Sequence, residues 1–384
     1  MKFEFATATR IVFGPGSIKD IGRYAADLGQ HVFIVTGRNT DRAAPLVQQI
    51  KNHSLDFTLF SVPREPTTEL ALTAVARARQ AACDMVVGIG GGSVIDTGKV
   101  VASLLTNKGE LIDYLEVIGK GQPLNQKPAP YIAIPTTAGT GAEVARNAVL
   151  ESTKHRVKVS MRSHLMLPHL AVVDPELTYS MPPAVTASTG LDAFTQLLEA
   201  FVSKMANPLT DGICREGLSR ASRSLKRAYL NGNDASARED MSLASLLGGL
   251  ALANAKLGAV HGFAGPLGGM FTAPHGALCA TLLPYVMEAN IQALKSRAPE
   301  SLSLKRYDEV AKKITGIRNA GAIDGISWVK ELFSTFEIPP LSGYGIKETD
   351  FPMIVEKSRN ASSMKGNPIM LTEEELFQIL QKAM

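Results

Sequence analysis

DMVVGIGGGSVIDTGK, residues 84–99, decides how the first half of this chain is read. MVVGI is a short apolar, β-branched run with the length of a buried strand. It runs into Gly90, Gly91 and Gly92, and a segment with helical spacing leaves on the far side. A strand that ends in glycines and opens a helix lets backbone approach a phosphate closely, and the first N–H groups of the helix attract its charge. Two better-known phosphate loops are excluded. Ser93 stands where G-x-G-x-x-G needs its last glycine, and Gly92 and Gly98 are one residue too far apart for a Walker loop, with Val100 after Lys99. The same pattern also fits a strand–helix turn that holds no ligand.

The plan repeats on either side. HVFIVTG at 31–37, FTLFSV at 57–62, YIAIPTTAGTG at 131–141 and LAVVDPEL at 170–177 are strand candidates, and TELALTAVARARQAACD at 68–84 has helical period. Strand and helix in alternation predict a parallel sheet with helices on its faces. PTTAGTGAE at 135–143 is a second strand-end loop, with the hydroxyls of Thr136, Thr137 and Thr140. Two such loops in one parallel sheet suit a dinucleotide cleft, although two ordinary loops would read alike. After FIVTG stand Gly37 and Arg38, where an acidic residue would bind ribose hydroxyls. A small residue and a cation suit a 2′-phosphate, which leans toward NADP; a solvent-facing arginine is the plainer reading.

From Met181 onward nearly every segment has helical period, and Pro182-Pro183 mark the change. With 384 residues, two domains are expected: an α/β dinucleotide-binding domain over 1–180 and an all-α domain over 181–384. The net charge of +4 is not concentrated in any Lys/Arg run, which argues against a nucleic-acid partner. The three cysteines, Cys83, Cys214 and Cys279, are far apart and form no CxxC, which fits reduced thiols in a cytoplasmic protein. Residues 245–271 are the one membrane suspect. They carry Asn254, Lys256, His261 and Pro266, so a buried helix followed by a close-packed glycine-rich segment is expected instead.

GLDAFTQLLEA, 190–200, puts Asp192, Gln196 and Glu199 on one side of an apolar helix. His261 and His275 lie in an almost uncharged stretch. Such imidazoles are usually satisfied core residues. One carboxylate and two imidazoles are also the ligand mix of a divalent first-row metal, which would stabilise a developing alkoxide beside a nicotinamide.

These residues resemble the iron-containing (group III) alcohol dehydrogenases, within the dehydroquinate synthase-like superfamily. The resemblance runs from FGPGS at 13–17 through GGGSVIDTGK, IPTTAGTGAEV, DPEL and GLDAFTQLLEA to PHG and NPIMLTEEE at 367–375. It implies a cleft between the two domains, an NAD(P) cofactor, and hydride transfer between nicotinamide and a small alcohol, aldehyde or ketone. It implies that Gly91, Gly92, Ser93 and Asp96 line the cofactor's phosphates and nicotinamide side, with Thr136, Thr137, Thr140 and Lys158 also touching it. Asp192, His261 and His275 match the family's metal ligands and catalytic centre, with Fe2+ or Zn2+ as the ion. Gln196 stands where the family has a fourth histidine ligand and is counted with the metal residues, as a poorer ligand through its amide oxygen, and Gly265 stands where another histidine is common. A homodimer is also implied, through the segment FEFATATRIVFG. A non-redox lyase of the dehydroquinate synthase type and a metal-free dinucleotide-binding scaffold are the competing readings.

Overall fold

The computed structural model describes residues 2–155 and 157–384. Among the described residues there are eight strands: β1 (Arg10–Phe13), β2 (His31–Gly37), β3 (Asp56–Val62), β4 (Met85–Gly90), β5 (Tyr131–Pro135), β6 (Asn147–Ser152), β7 (Val157–Arg162) and β8 (Leu170–Val173). The helices of the first half are α1 (Ile21–Ala26), α2 (Ala44–Asn52), α3 (Thr68–Gln80), α4 (Gly92–Thr106) and α5 (Leu111–Tyr114). Those of the second half are α6 (Pro183–Val202), α7 (Pro208–Leu230), α8 (Ala235–Ala255), α9 (Ala259–Met270), α10 (His275–Arg297), α11 (Leu302–Thr315), α12 (Ala322–Thr335), α13 (Phe351–Asn360) and α14 (Glu373–Lys382).

Six strands form one parallel sheet in the order β1-β8-β5-β4-β2-β3. β4 and β5 are buried along their whole length, which is why their sequences read as unbroken apolar runs. The chain leaves β2 toward β3 on one side and leaves β4 toward β5 on the other. The carboxyl ends of β2 and β4 therefore flank a topological switch point, where ligands bind in open α/β sheets. Gly37 is the last residue of β2, and Gly91 follows β4. β1, from the segment expected at a subunit contact, is an edge strand paired with β8 of its own chain. The hairpin of β6 and β7 is an addition the sequence reading lacked.

The chain forms two compact units. One is Ala6–Thr137 with Gly141–Tyr179, and it holds the sheet. The other is Ser180–Met384 with Ala138–Thr140 and the N-terminal residues up to Phe5. Among the described residues the span from Ser180 to Met384 contains no strand. Its core is an apolar cluster centred on α6, which is buried over nearly its whole length. Among the described residues no single helix is long and apolar enough to cross a membrane. α8 and α9 together reach that length but are bent by 98° at their junction.

Close packing of α4 on the sheet turns on Tyr131. Its hydroxyl donates to the Ile95 carbonyl at 2.9 Å. A Cβ at Gly88 or Gly98 would stand 2.5 or 2.6 Å from that hydroxyl, so both positions admit only glycine without movement. Gly98→Ala is expected to destabilise the protein by about 1–3 kcal/mol in urea unfolding.

Glu143, just past β5, is buried, and burial pushes its carboxyl up to about 7 against the weaker opposing pull of a backbone hydrogen bond and of Lys99. The folded chain then holds a proton on Glu143 that the unfolded chain has released from the ordinary value of 4.5 upward. Stability from this group falls as pH rises from 4.5 to about 7, by up to about 3 kcal/mol, and levels off above. Glu143→Gln should flatten that part of the stability–pH curve, measured by denaturant midpoint.

Candidate active site

At the switch point, Gly91 caps α4 through backbone alone. Among the described residues no side chain caps this helix start, so its first N–H groups are offered to an anion. Gly92 and Ser93 are the first helical residues. Thr136 N–H donates to the Gly90 carbonyl at 2.9 Å, which sets the two strand-end loops side by side. Thr137 lies in ordinary contact distance of a Cβ at Gly91. Thr140 groups with the helical unit, whose α6 is so close that a Cβ at neighbouring Gly139 would stand 2.5 Å from Thr189 Cβ.

Gly37 has nothing within 4 Å of where its Cβ would be, and Arg38 beside it is exposed. Asp96 and Lys158 have protein partners of their own. Asp96 Oδ2 accepts from Val149 N–H at 2.9 Å, and its other oxygen lies 3.6 Å from the buried Lys99 ammonium. Lys158 pairs with Glu65 at 3.2 Å.

Three helices build a second constellation. α6 starts at Pro183, whose missing N–H costs nothing at a first helical position. Its entry is fixed by the buried Arg238 of α8, which donates to Thr186 Oγ1 at 2.9 Å and to the Met181 carbonyl at 3.2 Å. Asp192 stands in the middle of α6. α10 begins at His275 itself. A Cβ on the next residue, Gly276, would stand 2.7 Å from the Ser188 carbonyl, so glycine lets this helix start lie directly on α6. His275 Nε2 thereby comes to 4.0 Å from Asp192 Oδ1.

His261 arrives on the first turn of α9, and its Nε2 lies 3.2 Å from the same oxygen. Its Nδ1 lies 2.7 Å from Glu199 Oε2, two turns along α6 from Asp192. Glu199 also accepts from Val260 N–H at 2.7 Å, while Asn367 Oδ1 accepts from Ala259 N–H at 3.0 Å. A buried carboxylate and a buried amide thus anchor the start of α9.

Asp192, His261, His275 and Cys279 each offer one ligand atom, and these atoms all lie within 4.8 Å of one another. Asp192, His261 and Cys279 are buried, and His275 is the partly exposed member, its side chain 35% accessible. Burial disfavours the Asp192 carboxylate, yet the His261 hydrogen bond and the charge of His275 hold its pKa below the ordinary value. Burial likewise opposes a charged His261, but its hydrogen bonds to Asp192 and Glu199 outweigh it and raise this imidazole well above its usual range. Burial pushes the Cys279 thiol up to about 12. One carboxylate, two imidazoles and a thiol within this reach are a donor set that suits a divalent cation in place of a proton. Gln196, one turn after Asp192, is buried with its Oε1 lacking a hydrogen-bond partner and packed toward Gly248 of α8.

Two participants were missed or underused in the sequence reading. Cys279 was counted only as a reduced thiol, although its spacing of four from His275 was a usable signal. Glu199 was placed on the Asp192 face but given no role. Phe194, between Asp192 and Gln196 on α6, is fully buried against Trp328, with ring centroids 5.5 Å apart.

The carboxylate–imidazole arrangement fixes which ring nitrogen of His261 faces Asp192, as outer-shell carboxylates do for metal-bound histidines. Glu199→Gln should weaken metal affinity by about 10–100-fold, measured with a competing chelator, with little change in secondary structure by circular dichroism. An unchanged affinity would remove Glu199 from the site.

Comparison with known proteins agrees with this geometry. The family model described as iron-containing alcohol dehydrogenase matches residues 8–175, and that of the C-terminal region of the Fe-containing alcohol dehydrogenase family matches residues 186–384. The chain is 33% identical to 1,3-propanediol dehydrogenase of Klebsiella pneumoniae, over 99% of this chain and 98% of that one. It is 38% identical to alcohol dehydrogenase 4 of Saccharomyces cerevisiae, over 78% of this chain and 76% of the relative. A crystal structure of 1,3-propanediol oxidoreductase superposes with a TM-score of 0.92 at 32% identity and covers both chains completely. With a glycine-rich strand–helix turn in one unit, a carboxylate–imidazole cluster in the other, and family models matched over both, the chain belongs to the iron-containing alcohol dehydrogenase family.

Proposed function

We propose that this protein is a metal-dependent, nicotinamide-linked dehydrogenase that interconverts a small alcohol and its aldehyde or ketone. The observation that carries the reading is the convergence of Asp192 Oδ1 with His261 Nε2 and His275 Nε2, at 3.2 and 4.0 Å. When bound, a divalent metal supplies Lewis acidity toward the substrate oxygen, and the nicotinamide gives or takes the hydride. Asp192, His261 and His275 are the residues we assign to hold the metal, Fe2+ or Zn2+. To do so, His261 releases its Nε2 proton while Glu199 keeps the one on Nδ1. The α4 start at Gly91, Gly92 and Ser93 and the hydroxyls of Thr136, Thr137 and Thr140 are assigned to the cofactor's phosphates and nicotinamide side. Asp96 and Lys158 border this region, and their partners Val149, Lys99 and Glu65 orient them. The relatives named above are dehydrogenases or an oxidoreductase, which favours this reading over a lyase or an inactive scaffold.

NADP is the cofactor we favour, because Gly37 leaves open space at the end of β2 and Arg38 adds a cation there. We also assign a cytoplasmic setting, consistent with three free, buried cysteines, and a homodimer that uses the exposed edge of β1.

Assays of small aldehydes with NADPH and NADH, with added Fe2+ or Zn2+, test the activity. Asp192→Ala and His261→Ala should each abolish turnover; full activity in both would contradict a metal mechanism. Arg38→Ala should lower kcat/KM for NADPH by roughly 10–100-fold, the worth of one charge-assisted phosphate contact, and leave NADH almost unaffected.

A further inference from the structure

The alcohol dehydrogenase reading leaves the cation with three assigned protein ligands and does not use the thiol among them. The fourth donor expected by resemblance, at position 196, is an amide. Its Oε1 accepts no hydrogen bond from either imidazole or from Cys279, and it packs toward Gly248. Cys279 stands one helical turn after His275 on α10, so both side chains project from the same face. Its Sγ lies 3.7 Å from His275 Nε2 and within 4.8 Å of the ligand atoms of Asp192 and His261. The residue is fully buried, so no bulk water competes for that position.

We infer that Cys279, rather than Gln196, supplies the fourth protein ligand, as a thiolate, and that the centre is a carboxylate–bis-imidazole–thiolate site selective for zinc or cobalt over ferrous iron. The inference rests on the metal reading given above. On coordination the Sγ–H bond breaks, the sulfur lone pair forms the metal bond, and the proton leaves to solvent. Thiolate is a soft donor. Added to two imidazoles and one carboxylate, it makes a set of the kind that suits zinc, whereas an all-nitrogen-and-oxygen set is the one that would leave iron competitive. The amide at 196 is then no loss to the site, because the thiol comes from the opposite helix.

Anaerobic titration of the chelator-stripped full-length protein with Co2+ tests this, because thiolate ligation gives a charge-transfer band in the near ultraviolet that oxygen and nitrogen donors do not. Wild type should bind one cobalt with that band and with visible d–d bands. Cys279→Ser and Cys279→Ala should keep the visible bands, weaken cobalt binding and lose the near-ultraviolet band. Cys83→Ser and Cys214→Ser should retain it, which assigns the signal to residue 279. Cobalt bound to wild type without the band, or a band that survives in both Cys279 variants, overturns the thiolate ligand while the metal centre stands. Wild type that binds no cobalt, with His261→Ala indistinguishable from it, overturns the metal reading and this inference together.

Discussion

The two-point hold of Glu199 on α9 is the interaction on which the site depends. One carboxylate accepts from the Val260 N–H and bonds the Nδ1 of His261, at 2.7 Å each. The first contact anchors the helix start, where the macrodipole also favours a negative charge. The second sets the ring orientation and the nitrogen it presents to Asp192. Asp192 and Glu199 ride on the same helix, so a single rigid element carries both carboxylates that hold the His261 ring. Without Glu199, His261 would be a buried imidazole free to choose its tautomer. With it, the Nε2 faces an acceptor, and only a proton or a cation can stand between them.

Around that pair the structure spends its close contacts on rigidity. Gly276 lets the start of α10 touch α6, and Arg238 ties down the beginning of α6 through two neutral oxygens, Thr186 Oγ1 and the Met181 carbonyl. Buried groups so arranged are costly to leave unsatisfied, which is why such sites sit on helices and not on loops. The strand–helix turn at the switch point is built on a different principle. There the chain offers backbone N–H groups and small residues, and its charged side chains, Asp96 and Lys158, are engaged with other protein groups at 2.9 and 3.2 Å.

Much of this was legible in the sequence, for physical reasons. The central strands are buried on both faces, so HVFIVTG and MVVGI stand out as apolar runs, and β2 occupies His31–Gly37, the whole of the first of them. The helical half announced itself by period alone. The β6–β7 hairpin did not, because NAVLES and VKVSMR alternate buried and half-buried positions without a turn signal as strong as Asn-Gly between them. Short β1 was likewise hidden within a segment read as a subunit contact. At the site, Asp192, His261 and His275 were found as polar residues in apolar surroundings, and that contrast survives any fold. Cys279 was not, because cysteine is itself at home in a core and gives no such contrast. Only the position of α10 shows which way its sulfur points.

The central claim is that one cation sits among residues 192, 261 and 275. Anomalous diffraction at the zinc edge, from crystals grown with Zn2+, tests it most directly. The account predicts one strong peak at about 2.0–2.2 Å from an Asp192 oxygen and from the Nε2 atoms of His261 and His275. A map with no peak there, and with His261 Nε2 still hydrogen-bonded to Asp192, would contradict it.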